Sequence, residues 1–152
     1  MRRTIAAMIC AVVLVGVNIT FVEAVNPNGR YSANGAWVLK KGARTEKGTH
    51  AGAFKLKGTR VAGTSNSSDG CTARYRFKLS QRPKNRKGML KLTGSIVVTC
   101  PQKTIYKVTK GILSYKVTRI KTIKYKIKLV AKGTRGTNKG AVLAATAKGA
   151  KN

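Results

Sequence analysis

The sequence predicts an all-β fold, a single small antiparallel β-barrel or β-sandwich of about eight strands with one disulfide. Three observations carry this. First, Ile123, Tyr125, Ile127 and Leu129 alternate with Lys124, Lys126 and Lys128, and Leu113, Tyr115 and Val117 alternate with Ser114, Lys116 and Thr118. Side chains of a strand point alternately to opposite faces, so this spacing makes one apolar and one basic face. A helix would scatter the lysines round its circumference and leave no apolar stripe. Second, glycine-bearing turns recur at short intervals with no helical period between them. Third, the chain beyond its N-terminal segment holds an even pair of cysteines, Cys71 and Cys100.

The N-terminal segment reads as a signal peptide. Arg2 and Arg3 are its charged start, Ile5 to Val17 its apolar stretch, and Val22-Glu23-Ala24 its cleavage site. The apolar run is short for a membrane span. Residues 1–24 are therefore expected to be removed, leaving residues 25–152 as a single all-β domain with short disordered ends, exported to a periplasmic or extracellular space. Cys10 and Glu23 leave with that segment. In an oxidising compartment Cys71 and Cys100 read as a disulfide, with a stabilisation of roughly 3 kcal/mol.

The elements follow in order. Val25 to Arg30 is an exposed leader, and Ala33 to Lys41 a first strand with Trp37 and Leu39 on one face. Gly42 to His50 reads as a polar connection, and Ala53 to Lys57 as a strand with Phe54 and Leu56 inward. Gly58 to Gly70 follows, its second half reading as a loop. Cys71 to Ser80 alternates clearly, with Tyr75, Phe77 and Leu79 inward, and Gln81 to Gly88 is a basic turn. Met89 to Cys100 is a longer strand in which Gly94 marks a bulge or bend. Ile105 to Thr109 is a strand broken by Gly111, after which Ile112 to Val130 reads either as one long bent strand or, as the basic residues interrupting the apolar face favour, as turning in a hairpin or bulge near Arg119-Ile120-Lys121. Gly133 to Gly140 is a turn, and Ala141 to Ala147 a last strand of small residues. Gly35-Ala36-Trp37 is similar to the Gly-x-Trp that opens many lipocalin-like barrels, a three-residue match that assigns no family.

Catalysis by proton transfer needs positioned titratable groups. Beyond the leader these are His50, Glu46 and Asp69, all in segments that read as solvated loops, so no catalytic residue is expected and the chain reads as a non-enzyme. Two cysteines and one histidine are too few for a closed zinc site, and no metal or cofactor is expected. Gly133 to Gly140 lacks the Lys-Ser/Thr ending and the following helix of a phosphate loop.

Charge is the stronger clue. Lys and Arg total 32 against three acids, a formal net charge of +29. Ordinary surfaces mix signs, and this one has almost no acids to mix. Lysine outnumbers arginine 21 to 11, which favours diffuse attraction to a charged polymer over bidentate reading of a sequence. The residues expected to bind are Lys116, Lys124, Lys126 and Lys128, then Arg74, Arg76 and Lys78, with Lys55, Lys57 and Lys91. Tyr31 and Tyr106 are the aromatics expected to lie exposed as stacking platforms. The expected function is non-catalytic binding of an anionic polymer: an envelope or matrix polysaccharide, an anionic membrane surface, or extracellular nucleic acid. Two alternatives are a small barrel carrying an apolar ligand and a structural component of a surface layer or matrix. Oligomeric state is not set by the sequence.

Overall fold

The alternating segments pair with their chain neighbours throughout. In a computed structural model, which describes residues 26–152, eight antiparallel strands form a closed up-and-down barrel in chain order. They are β1 (Gly29–Lys41), β2 (Arg44–Lys57), β3 (Arg60–Ser67), β4 (Thr72–Leu79), β5 (Lys87–Cys100), β6 (Gln102–Val117), β7 (Ile123–Gly136) and β8 (Val142–Ala150). β8 closes on β1 from Asn34 opposite Lys148 to Lys40 opposite Val142, so no strand edge is left for another chain to extend. The segment read as a signal peptide lies outside the described residues.

Two ends follow from the up-and-down path. At one end lie both described termini, the β2–β3 turn, the β4–β5 loop and the β6–β7 turn. At the other lie the β1–β2, β3–β4, β5–β6 and β7–β8 turns. The Cys71–Cys100 disulfide joins two turns of this second end, with Cα atoms 4.7 Å apart.

Three expectations fail for identifiable reasons. The segment read as a connection from Gly42 to His50 is mostly strand: Gly42, at φ 60°, sits in a short turn and β2 starts at Arg44. Its inward residues include Glu46, Gly48 and His50, so no apolar period shows there. The stretch from Gly63 to Gly70, read as a loop, is strand as far as Ser67: it belongs to β3, whose inward Gly63, Ser65 and Ser67 hide the alternation in the same way. Conversely, Gly111 does not break β6. The strand runs through it, and register shifts, one between Val108 and Lys110, absorb the parity change. A strand missed and a break too many offset each other in the count of eight.

The hairpin near Arg119-Ile120-Lys121 is present, without the usual turn residues. Lys121 takes the left-handed conformation, φ 61°, and its N–H donates to the Thr118 carbonyl at 3.0 Å.

The core is the barrel interior, and its aromatics concentrate toward the end that holds the termini. Tyr31 stacks on Phe54 at 5.1 Å, and Tyr125 meets both edge-on at 5.8 and 4.9 Å. The Tyr31 hydroxyl donates to the Pro27 carbonyl at 2.6 Å and that of Tyr125 to the Ser32 carbonyl at 2.5 Å. Tyr31 and Tyr106, expected as exposed platforms, are each only 2% exposed. Both sit at inward register positions, Tyr31 opposite Phe54 and Tyr106 opposite Ile96.

Burial pushes the Tyr31 phenol up to about 12, and those of Tyr125, Tyr75 and Tyr106 upward too. The unfolded phenol releases its proton near 10. Below that pH both states are protonated and the burial contributes fully. From about 10 to 12 only the folded state keeps the proton, so this contribution is lost as pH rises. Near pH 11 the Tyr31 phenol is therefore expected to stay protonated in the native protein, so phenolate absorbance should rise when denaturant is added. Replacing both Cys71 and Cys100 by Ala should lower unfolding stability by about 3 kcal/mol in a denaturant titration.

Candidate functional site

The outer surface is where the strand period puts the cations. Every one of Lys55, Lys57, Arg74, Arg76, Lys78, Lys91, Lys116, Lys124, Lys126 and Lys128 is exposed. β7 keeps strict alternation over its first ten residues, so its lysines stand on one side about 7 Å apart. Barrel curvature does not allow all ten to share one face. They follow one another round the barrel on β2, β4, β5, β6 and β7, and the series is continuous from β4 to β5, where Lys78 lies opposite Thr93, two residues from Lys91.

Cross-strand register sets several of these like charges directly opposite one another in rows. Lys87 lies opposite Lys116, which lies opposite Lys124. On the other side Lys57 lies opposite Arg60, which lies opposite Lys78. Lys107 opposes Lys132, and Lys126 opposes Lys148. Directly opposed like charges are unfavourable, on the order of 0.8 kcal/mol per pair at about 5 Å in water. The two acids among the described residues, Glu46 and Asp69, lie elsewhere and offset none of these rows. The loops at the terminus-bearing end add Arg82, Lys84, Arg86 and Arg119.

Inside, toward the opposite end, lies a mainly apolar cavity of about 150 Å³. It extends from Phe54 and Phe77 to Asp69 and Asn138 in the turns at the second end. Trp37, Phe54 and Tyr75 line it, whereas Tyr125 does not. Glu46, His50 and Asp69, expected in solvated loops, all belong to its wall. Asp69 does stand in an exposed turn between β3 and β4, whereas Glu46 and His50 belong to β2 and were missed because polar residues and glycines occupy its inward positions and leave no apolar alternation. The available signal was their parity: Glu46, His50, Phe54 and Leu56 are all even-numbered on one strand.

Two glycines shape this wall. Gly48 lies opposite Trp37, and a Cβ there would come within 2.6 Å of the indole. The ring crosses β2 in that space and its Nε1–H donates to Ser67 Oγ on β3 at 2.8 Å. Gly35 lies opposite His50, and a Cβ there would stand 2.8 Å from the imidazole Nε2 and 1.7 Å from the Thr146 carbonyl oxygen. The imidazole crosses β1 in that space and its Nε2 meets the Thr146 oxygen of β8 at 2.8 Å. A carbonyl only accepts, so Nε2 carries the proton. Gly35-Ala36-Trp37 thus supplies both the gap for one ring and the other ring itself.

The remaining polar groups of the wall divide in two. Glu46 pairs with Arg44, and Asp69 accepts from the Cys71 N–H at 3.1 Å. His50 Nδ1 and Ser65 Oγ are buried without a hydrogen-bond partner. The Ser65 hydroxyl lies near enough to Tyr75 to oppose slightly the burial that raises its phenol, yet it makes no hydrogen bond of good geometry. Asp69, Cys71 and Cys100 are the one grouping of potential metal ligands among the described residues, and its sulfurs are consumed by the disulfide.

No protein-family model, curated protein or solved structure matches this chain.

The glycine gaps are testable. Gly48→Val should displace the indole, break its bond to Ser67 and destabilise the barrel by about 1–3 kcal/mol. The fluorescence of Trp37, the chain's single tryptophan, should shift to the red in the variant. An unshifted spectrum with unchanged stability would refute this account of the wall.

Proposed function

We propose that this protein is an exported, non-catalytic polyanion-binding protein that acts through its lysine-bearing outer surface. The observation that carries the reading is the like-charge rows, above all Lys87–Lys116–Lys124 and its neighbours Lys126 and Lys128. Each row concentrates positive charge that nothing in the described chain neutralises. An anionic polymer laid across it would relieve the repulsion and release its own counterions, the main source of affinity in such binding. Neutralising some 6–10 anionic groups would make affinity fall roughly 10³–10⁵-fold between 50 and 200 mM salt, as for DNA.

The disulfide is compatible with an oxidising compartment outside the cytoplasm. Burial of the aromatics bears on the type of polymer. The exposed large apolar residues are Met89, Ile112, Ile120, Val130 and Val142, none of them aromatic. Recognition of single-stranded nucleic acid by base stacking therefore has little support among the described residues. Charge-driven binding to an anionic polysaccharide or lipid surface, or to a duplex backbone, needs no exposed ring.

The test is a salt series on immobilised duplex DNA, single-stranded DNA, a heparin-like glycan and anionic liposomes. Changing Lys124, Lys126 and Lys128 together to Glu should weaken binding to the preferred polymer and flatten the log–log salt dependence by roughly 3. The parallel triple change of Arg74, Arg76 and Lys78 reports on the cations of β4. Unaltered affinity and slope in both folded variants would overturn the proposal.

A further inference from the structure

The cavity points to a second binding activity, independent of the outer surface. We infer that the barrel interior is a site for a small neutral molecule with a benzene-sized apolar body and one hydrogen-bond-donating group, such as a phenolic hydroxyl.

Size sets the body. A cavity of about 150 Å³ is comparable to the engineered apolar one that accepts benzene. Trp37, Phe54, Tyr75 and Phe77 supply the apolar and aromatic wall.

Polarity sets the head group. With its Nε2 proton held on the Thr146 carbonyl, a neutral His50 presents Nδ1 as a bare acceptor. Ser65, 5% exposed, has an unpartnered hydroxyl on the neighbouring strand, opposite Gly52 and one inward position along from the His50–Ser67 pair. Buried polar groups left unpaired cost about 1–3 kcal/mol each, so a ligand hydroxyl that satisfies them gains selectivity over an apolar isostere.

Charge sets what is refused. None of the described lysines and arginines lines the cavity, whereas both described acids do. The outer surface attracts anions, but the wall opposes a carboxylate.

The probe is the Trp37 indole N–H, a single resonance because the chain has one tryptophan. Phenol, toluene and benzoate are titrated into the folded protein while its chemical shift is followed. Saturable binding is expected for phenol, about tenfold weaker for toluene, and weaker still for benzoate. His50→Phe should bring phenol and toluene to about equal affinity, and Ser65→Ala should narrow the gap in the same direction if the first variant does not fold. Ala145→Leu, which fills the cavity from β8, should abolish the response. The inference is overturned if neither phenol nor toluene gives a saturable shift, if toluene binds as tightly as phenol to the unaltered protein, or if folded Ala145→Leu binds unchanged.

Discussion

Everything in this molecule depends on the two-residue period of an extended chain closed on itself. Closure divides all strand positions into inside and outside, and no strand is left to compromise. The inside takes every described leucine, tyrosine and phenylalanine; the outside takes the cations. A net charge this large would tend to expand a loosely packed chain. Here the charges share one surface with water, while the core beneath them is continuous around the barrel.

That division also explains how much was legible in the sequence. Where inward residues are large and apolar, as along Ile123 to Leu129 or Tyr75 to Leu79, the alternation announces the strand and its facing. Where they are Gly63, Ser65 and Ser67, or Glu46, Gly48 and His50, the same geometry leaves no hydropathic trace. The cationic surface was therefore readable residue by residue, although its spread round the barrel needed the strand order. The cavity was not readable, because a void is built from small and polar inward residues, which are the ones that resemble loop.

The two ring-over-glycine arrangements show a related limit. Trp37 above Gly48 and His50 above Gly35 are cross-strand relations between residues more than ten positions apart. The Gly35-Ala36-Trp37 string holds only half of each. Its partner residues lie in a segment with no strand signal, so their roles emerge only once β1 and β2 are in register.

The up-and-down path also separates charge along the barrel axis. The terminus-bearing end has basic loops and no described acid, and Tyr31, Phe54 and Tyr125 leave only a small gap of about 30 Å³ in its interior. Glu46, Asp69 and the cavity belong to the opposite end. The molecule is consequently a dipole as well as a polycation. Near an extended anionic surface it experiences a torque in addition to attraction, one that turns the plugged end toward the surface. Docked that way, the barrel would hold its cavity outward, open to the surrounding medium.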